Sequence, residues 1–369
     1  MRAAFVGTSF RGGGAERHFA RLVPGLLRGA ESRIAVTLSP FERGDRPEEI
    51  ECESLGFRSA ADYPSAIRRL VRILDRRQVD LVYSISRCPN VVTIAASMVT
   101  RRRPVVVLGE NTRPLEAFRL SPRLRDFGWL AFESACFRAA DMVICNSRSA
   151  CEEVVGHFGA DAEKVRLARN PIPPGSLADR RLPGTEAELR VVTASRLVPD
   201  KGLEDLVDAW SRLRPASARL VILGEGPLRR GLQERARCGG VESTVEFRGW
   251  VEDPNPWLRD AAVVVLASYC EGLPNLVLEG MGAGAAVLAT RSTSWITEFE
   301  NAGAVAAVEP GDVKALASAL QSLLTSESYR RELSERGMRV ASAFNVDGVI
   351  AERNTLLLEA CQKGESTRS

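Results

Sequence analysis

Metal-binding side chains are scarce in this chain. Only two of its 369 residues are histidine, His18 and His157, and its eight cysteines are scattered with no C-x-x-C pair. Structural zinc sites draw on clustered Cys and His, so the composition argues against one, and no metal is expected. The same scatter suits free thiols in a reducing cytosol better than a disulfide framework. No apolar run reaches the roughly 20 residues that a membrane-spanning helix needs. The opening Arg2-Ala-Ala-Phe-Val-Gly stretch is too short for the apolar core of a secretion signal and runs into a glycine-rich loop. Repeats at solenoid period and low-complexity tracts are missing too. What remains is a globular composition, 45% hydrophobic and 26% charged, on a chain long enough for two or three domains that each bury a core.

The net charge is only +3, but it is unevenly placed. The chain is net basic through residue 170 and net acidic beyond it. A basic half suits an anionic partner or membrane surface, and equally an Arg-rich set of solvated helix faces. Arg101-Arg-Arg103, Arg119, Arg123 and Arg125 interleave with Phe118, Leu120, Phe127 and Trp129. That pattern reads as an amphipathic membrane-surface patch or as a solvated face. No recognised nucleic-acid motif accompanies the charge, so nucleic acid is not an expected partner.

Short β-branched runs alternate with helical patterns in each half. Ala3–Val6, Ile34–Leu38, Leu81–Ile85, Val105–Leu108 and Met142–Cys145 read as strands. Glu16–Leu27, Ala66–Asp75 and Val91–Met98 read as helices between them. The stretch from Pro171-Ile-Pro-Pro-Gly-Ser to Leu182-Pro-Gly-Thr breaks the pattern and reads as an interdomain linker. The alternation then restarts with strands at Arg190–Thr193, Leu220–Leu223, Thr244–Phe247, Ala262–Leu266 and Ala286–Ala289. Helices are expected at Leu203–Arg212, Leu228–Arg237, Pro274–Met281 and Val313–Leu324, and along the tail at Ser328–Ala343 and Val346–Cys361. Such alternation predicts two α/β domains, each a doubly wound parallel sheet, with a cleft between them. The first spans 1–172 and the second 186–345.

The motifs sit where the second domain's strands end. Glu271-Gly-Leu-Pro-Asn-Leu-Val-Leu-Glu279 leaves an apolar strand and places one carboxylate before a helix and another inside it. The N–H groups after Pro274 would then present the positive end of a helix dipole. Sugar hydroxyls suit the acids and phosphate suits the helix, which together point to a sugar nucleotide. Ala194-Ser-Arg196-Leu-Val-Pro-Asp-Lys201-Gly202 follows the first strand of this half. Its two cations can reach one diphosphate from two sides, and incidental basic residues at a helix start are the alternative. In Leu223-Gly224-Glu-Gly226-Pro227, glycine allows close backbone approach or simply a tight turn. It is not a dinucleotide fingerprint, because Arg229 stands where the third glycine belongs. Trp250 and Val251 end Phe247-Arg-Gly-Trp-Val, where a flat base could lie, or where Trp250 packs. In the first half, Gly12-Gly13-Gly14-Ala-Glu16 joins a strand to a helix without the Lys-Ser/Thr of a Walker A loop. Glu16 reads as a partner of the helix dipole. His18 reads as an exposed helix residue, with the acceptor as its other reading.

In this order and spacing the motifs resemble those of the retaining glycosyltransferases of family 4, also described as glycosyl transferases group 1. The resemblance covers nearly the whole chain and is strongest over about 189–325. It implies a GT-B fold, two Rossmann-like domains facing across a cleft, with a final helix at 346–365 crossing back to the first. It also implies that Arg196 and Lys201 hold the donor diphosphate and Glu271 the donor-sugar hydroxyls. Gly272, Pro274, Asn275 and Leu276 belong to the segment that would turn its backbone N–H groups to sugar and phosphate. Glu279 would bind ribose, Trp250 and Val251 the base, Gly224 the donor loop, and Gly13 and Gly14 the diphosphate from the other domain. Family members commonly carry a histidine at the end of a first-domain strand. Here Gly109-Glu110-Asn111-Thr112 stands in the comparable place, so Glu110 or Asn111 is expected in its stead, or the acceptor geometry differs. Asn146-Ser147 matches a frequent pattern of the same domain and also suits a simple strand cap.

The implied activity is transfer of a hexose or N-acetylhexosamine, with retention, from a nucleotide diphosphate sugar to a glycan or lipid-linked acceptor. The donor is a substrate; no cofactor is expected, and the missing D-x-D motif suits a reaction without a bound metal. The expected location is cytoplasmic, peripheral at the inner face of the membrane if the basic patch binds lipid. Two other readings stand beside it: a sugar-nucleotide epimerase on the same fold, and a non-catalytic partner subunit.

Overall fold

The computed structural model describes residues 1–11, 14–112, 115, 124–172, 188–215 and 217–368. They form two α/β units, the first from described residues of 1–115, 123–171 and 346–369, the second from those of 172–345. The proline-rich stretch read as a linker lies almost wholly outside the described residues.

The first unit is built on a seven-stranded sheet: β1 (Arg2–Gly7), β2 (Ser32–Thr37), β3 (Glu51–Ser54), β4 (Leu81–Ile85), β5 (Val105–Glu110), β6 (Met142–Cys145) and β7 (Val165–Leu167). Every pairing is parallel, in the order β3-β2-β1-β4-β5-β6-β7. The five strands read as apolar runs coincide with β1, β2, β4, β5 and β6, with Leu38 one residue beyond the end of β2. Strands β4, β5 and β6 are buried at every position and mostly apolar, because helices cover both faces of a parallel sheet. Phe5, Tyr83, Val107 and Ile144 join one buried cluster, and Val6 and Val82 join another. Strands β3 and β7 carry Glu-Cys-Glu-Ser and Val-Arg-Leu at the sheet's edges, where neither has an apolar run to betray it. The helix expected over Glu16–Leu27 is shorter, Gly14–Leu22. Pro24 disfavours helix at the residue before it.

The second unit holds β8 (Leu189–Ala194), β9 (Ala218–Leu223), β10 (Val245–Gly249), β11 (Val263–Leu266), β12 (Ala286–Thr290) and β13 (Ala306–Val308). All are parallel, in the order β10-β9-β8-β11-β12-β13. Chain order runs outward from β8 in one direction and then resumes at β11 on its other side. The gap beyond the carboxyl ends of β8 and β11 is therefore the topological switch point, where open α/β sheets place their ligands. Among the described residues no helix is long and apolar enough to cross a membrane.

The helix Val346–Arg368 belongs to the first unit, and one side chain fastens it. Arg353 is 1% exposed. Its guanidinium donates to the Tyr83 hydroxyl, to the carbonyls of Ala168 (3.4 Å) and Arg169 (2.9 Å), and to Asn170 Oδ1 (3.3 Å). Asn354 Oδ1 accepts from the Leu27 N–H at 2.9 Å beside it. Arg353→Ala strands these buried oxygens, and the expected loss is about 3 kcal/mol. Arg353→Lys should recover less than half of it, since an ammonium cannot reproduce the planar fork. Urea unfolding of both variants measures this.

Candidate active site

The loops that leave β8, β9 and β11 pack backbone to backbone. Gly224 has φ +133°, and a Cβ there would stand 1.8 Å from the Ser195 carbonyl oxygen. Gly202 has φ +58°, and its Cβ would stand 2.1 Å from the Ala267 carbonyl oxygen. No side chain fits either place. The close approach that Gly224 allows is thus to the protein's own backbone. Hydrogen bonds fix the arrangement: Ser195 N–H to Leu223 O (3.0 Å), Leu197 N–H to Glu225 O (2.9 Å), Gly224 N–H to Gly249 O (2.7 Å) and Tyr269 N–H to Asp200 O (2.9 Å).

This packing brings together two groups that lie 70 residues apart. Lys201 Nζ donates to Glu271 Oε1 at 2.8 Å across the switch point. Ser268 Oγ donates to the same oxygen at 2.7 Å, and Asp200 Oδ2 lies 3.5 Å from the ammonium. Lys201 and Glu271 keep 15% and 18% of their side-chain surface, so the pair is sheltered but open to a ligand. Burial alone lowers the Lys201 pKa; the Glu271 and Asp200 carboxylates outweigh it and hold the ammonium above its ordinary value. Arg196, on the same loop, is exposed. The helix Asn275–Gly282 starts immediately after Pro274, so the N–H groups of Asn275 and Leu276 have no acceptor within the helix. Gly272, Pro274 and Leu276 are buried, and Glu279, inside that helix, is 3% exposed.

The β10 loop is held by Arg229, which pairs with Glu225 and donates to Phe247 O at 3.2 Å. Trp250, at its end, is 62% exposed and so is not a packing residue, while Val251 is half-buried. Gly13 lies outside the described residues; Gly14 opens the helix Gly14–Leu22. Arg119 and Arg123, with Phe118 and Leu120, also lie outside them, as do the side chains of Arg125 and Phe127.

The expected exposure of His18 is corrected: it is 2% exposed. One turn before buried Leu22, it shares that residue's inward helix face. Burial, then Arg353 and Arg21, hold its pKa well below the ordinary value.

Glu110 ends β5 and is 2% exposed. Its Oε1 accepts from the N–H (2.8 Å) and hydroxyl (2.6 Å) of Thr112. Burial raises its pKa against these hydrogen bonds and Arg87. The Asn111 carbonyl accepts from Asn146 Nδ2 at 3.2 Å, joining the ends of β5 and β6. Ser147 caps the helix Arg148–Gly156, accepting from Ala150 N–H at 3.1 Å.

Several groups at these strand ends have no role legible in the sequence. Ser268 and Asp200 are two, recognisable only once β8 and β11 are neighbours. In the first unit, Arg87 opens the helix Arg87–Ser97 just beyond β4 and forks onto Glu133, with Nε to Oε1 at 2.5 Å and Nη2 to Oε2 at 3.3 Å. Ser86 before it has φ +86°, a strained value for a residue with a side chain.

Comparisons with known proteins agree on the architecture. Residues 188–326 match the family model described as Glycosyl transferases group 1, and residues 12–175 the one described as Glycosyltransferase Family 4. The chain is 30% identical over 338 residues to the lipopolysaccharide core biosynthesis glycosyltransferase LpsE of Rhizobium meliloti, covering 88% of this chain and 89% of that protein. It is 24% identical over 352 residues to the N-acetylgalactosamine-N,N'-diacetylbacillosaminyl-diphospho-undecaprenol 4-alpha-N-acetylgalactosaminyltransferase of Campylobacter jejuni, covering 91% and 94%. Among solved structures, HepE of Anabaena in complex with UDP superimposes with a TM-score of 0.81 at 19% identity over 97% of this chain and 100% of that one. The two parallel-sheet units are those of the GT-B fold.

Glu133 supplies a pH dependence. Burial, then the Glu110 carboxylate, push its pKa from 4.5 to about 7 despite Arg87. The folded chain therefore keeps a proton that the unfolded chain releases at lower pH. The stabilisation is complete below pH 4.5 and is lost as pH rises to about 7. Unfolding free energy measured across that window should fall more steeply in the native chain than in Glu133→Gln.

Proposed function

Because the chain belongs to the family 4, group 1 glycosyltransferases, we propose that it moves a hexose or N-acetylhexosamine, with retention, from a nucleoside diphosphate sugar to a cell-surface glycan or its lipid-linked precursor. The observation that carries the reading is the Lys201–Glu271 pair at the switch point, flanked by exposed Arg196 and the start of the Asn275–Gly282 helix.

In this reading the pair divides the donor between its charges. The diphosphate takes Arg196, Lys201 and the helix N–H groups, a fork, a point charge and a dipole end. Negative charge grows on the leaving diphosphate as the sugar departs, and these groups offset it where another enzyme would use a divalent cation. Glu271, held by Lys201 and Ser268, accepts hydrogen bonds from the donor-sugar hydroxyls. Glu279 takes the ribose, and Trp250 with Val251 the base. Glu110 or Asn111 serves the acceptor side. The ordered motif set supports retention; the anomeric proton of the product, read by NMR, would contradict it by showing the opposite configuration.

The names of the relatives support the acceptor class. Assembly on a lipid carrier also suits the surface around Met98 and Val99, which are 76% and 67% exposed and precede exposed Arg101, Arg102 and Arg103. Apolar side chains beside cations match an anionic bilayer surface, which would put the enzyme at the cytoplasmic face of a membrane. Vesicle binding should rise with anionic lipid and fall with salt; binding flat in both removes this part of the proposal.

Thermal unfolding with uridine, guanosine and adenosine diphosphates and their sugar conjugates tests the donor site. One diphosphate at about a hundred times its Kd should add about 2.7 kcal/mol, and Arg196→Ala should abolish the shift. No shift with any of them favours a non-catalytic subunit. Conversion of the sugar nucleotide without an acceptor favours an epimerase.

A further inference from the structure

The first unit has its own switch point, between β1 and β4, with a group of side chains beside it that the donor reading does not use. Tyr63 opens the helix Tyr63–Arg76, and Arg87 opens the helix that follows β4. Trp129 and Phe132 lie near the middle of the helix Leu124–Ala139. The Trp129 ring is 5.7 Å from Tyr63 and 6.3 Å from Phe132, centroid to centroid. Phe57 meets Tyr63 edge-on at 4.9 Å and backs it from behind. Phe132 is 62% exposed, the outermost ring of the row.

A polar edge runs beside the rings. Trp129 and Glu133 are four residues apart and so share one helix face. Glu133 is 4% exposed and is gripped by Arg87, whose own side chain keeps 35% of its surface. Buried Glu110 lies close enough to Glu133 to raise its pKa. A row of rings with a fixed guanidinium–carboxyl pair along one side suits a pyranose. The C–H face of the sugar packs on aromatic surface, and its hydroxyls need donors and acceptors in the same plane as the ring edge. A lipid chain would use the rings and not the polar edge; a free anion would use Arg87 and leave the rings bare. Ser86, strained at φ +86°, is the residue that delivers Arg87 to this place.

We propose that Tyr63, Trp129 and Phe132 form a stacking ledge, and Arg87 with Glu133 its hydrogen-bonding edge, for a pyranose ring of the acceptor saccharide. The proposal rests on the glycosyl-transfer reading for calling that saccharide the acceptor, but the ledge uses none of the donor groups.

Saturation-transfer NMR tests it on the full chain, with methyl hexopyranosides and their N-acetylamino counterparts as probes. Ring protons should be saturated by the native protein. The effect should fall about fivefold in Phe132→Ala and in Trp129→Ala and persist in Phe132→Tyr. Phe132 is exposed, so its variants keep the fold, and an unchanged diphosphate-induced rise in melting temperature confirms that the donor unit is intact. Absence of saturation in the native protein, or equal saturation in the alanine variants, overturns the ledge. So does loss of vesicle binding in those variants with the saccharide signal retained, which would give the rings to lipid. A native protein that binds saccharide here but no nucleoside diphosphate would instead contradict the donor reading and leave the ledge standing.

Discussion

Two backbone contacts that admit no side chain govern the second unit. At Gly224 the chain lies against the carbonyl of Ser195, and at Gly202 against that of Ala267. These contacts draw the loops after β8, β9 and β11 into one layer at the carboxyl edge of the sheet. Without them, Lys201 and Glu271 would project from separate loops into water, where an exposed ion pair contributes little. With them the two charges meet at 2.8 Å in a sheltered place, with Ser268 and Asp200 as further partners. The glycines shape the protein so that it can present charge.

The ion pair has a dual character that matters for chemistry. A sheltered ammonium with two carboxylates near it stays charged, and a carboxylate pinned by Lys201 and Ser268 keeps one orientation. On the proposed reading, a ligand carrying both phosphate and hydroxyls meets charges that need no reorientation, which is the advantage of preorganised charge in a site of low dielectric. The first unit uses another device. Glu110, Glu133 and Glu153 are buried near one another, and burial first, then the Glu110 carboxylate, keep the Glu133 proton in place towards neutral pH despite its bond to Arg87.

Much of the architecture was legible because parallel strands covered on both faces must be apolar throughout. Val263-Val-Val-Leu266 and Val105-Val-Val-Leu108 can scarcely be anything else. Edge strands escaped this logic: Glu51–Ser54 is half solvent-facing and carries two acids. Within the site, Arg196, Lys201, Glu271 and Glu279 were visible as a spaced set, but their contacts were not. The family resemblance implies phosphate for Lys201 and sugar for Glu271, and says nothing of their direct bond, because that bond depends on β8 and β11 being neighbours. His18 failed for a related reason. Its exposure depends on which face of a short helix turns inward, and in a nine-residue helix a shift of one residue reverses the answer. Arg87 and Glu133 had no motif at all; only the pairing of a helix start with the middle of another helix reveals them.

The central claim is that Lys201 and Glu271 act as one unit on a ligand with both diphosphate and sugar. A double-mutant cycle by titration calorimetry addresses it, with Lys201→Met, Glu271→Gln and the double variant, each titrated with the nucleoside diphosphate that binds and with its sugar conjugate. The two substitutions should couple by about 1 kcal/mol or more for the conjugate and by less for the bare diphosphate. Additivity within about 0.3 kcal/mol for both ligands would contradict the claim and reduce the pair to a structural contact.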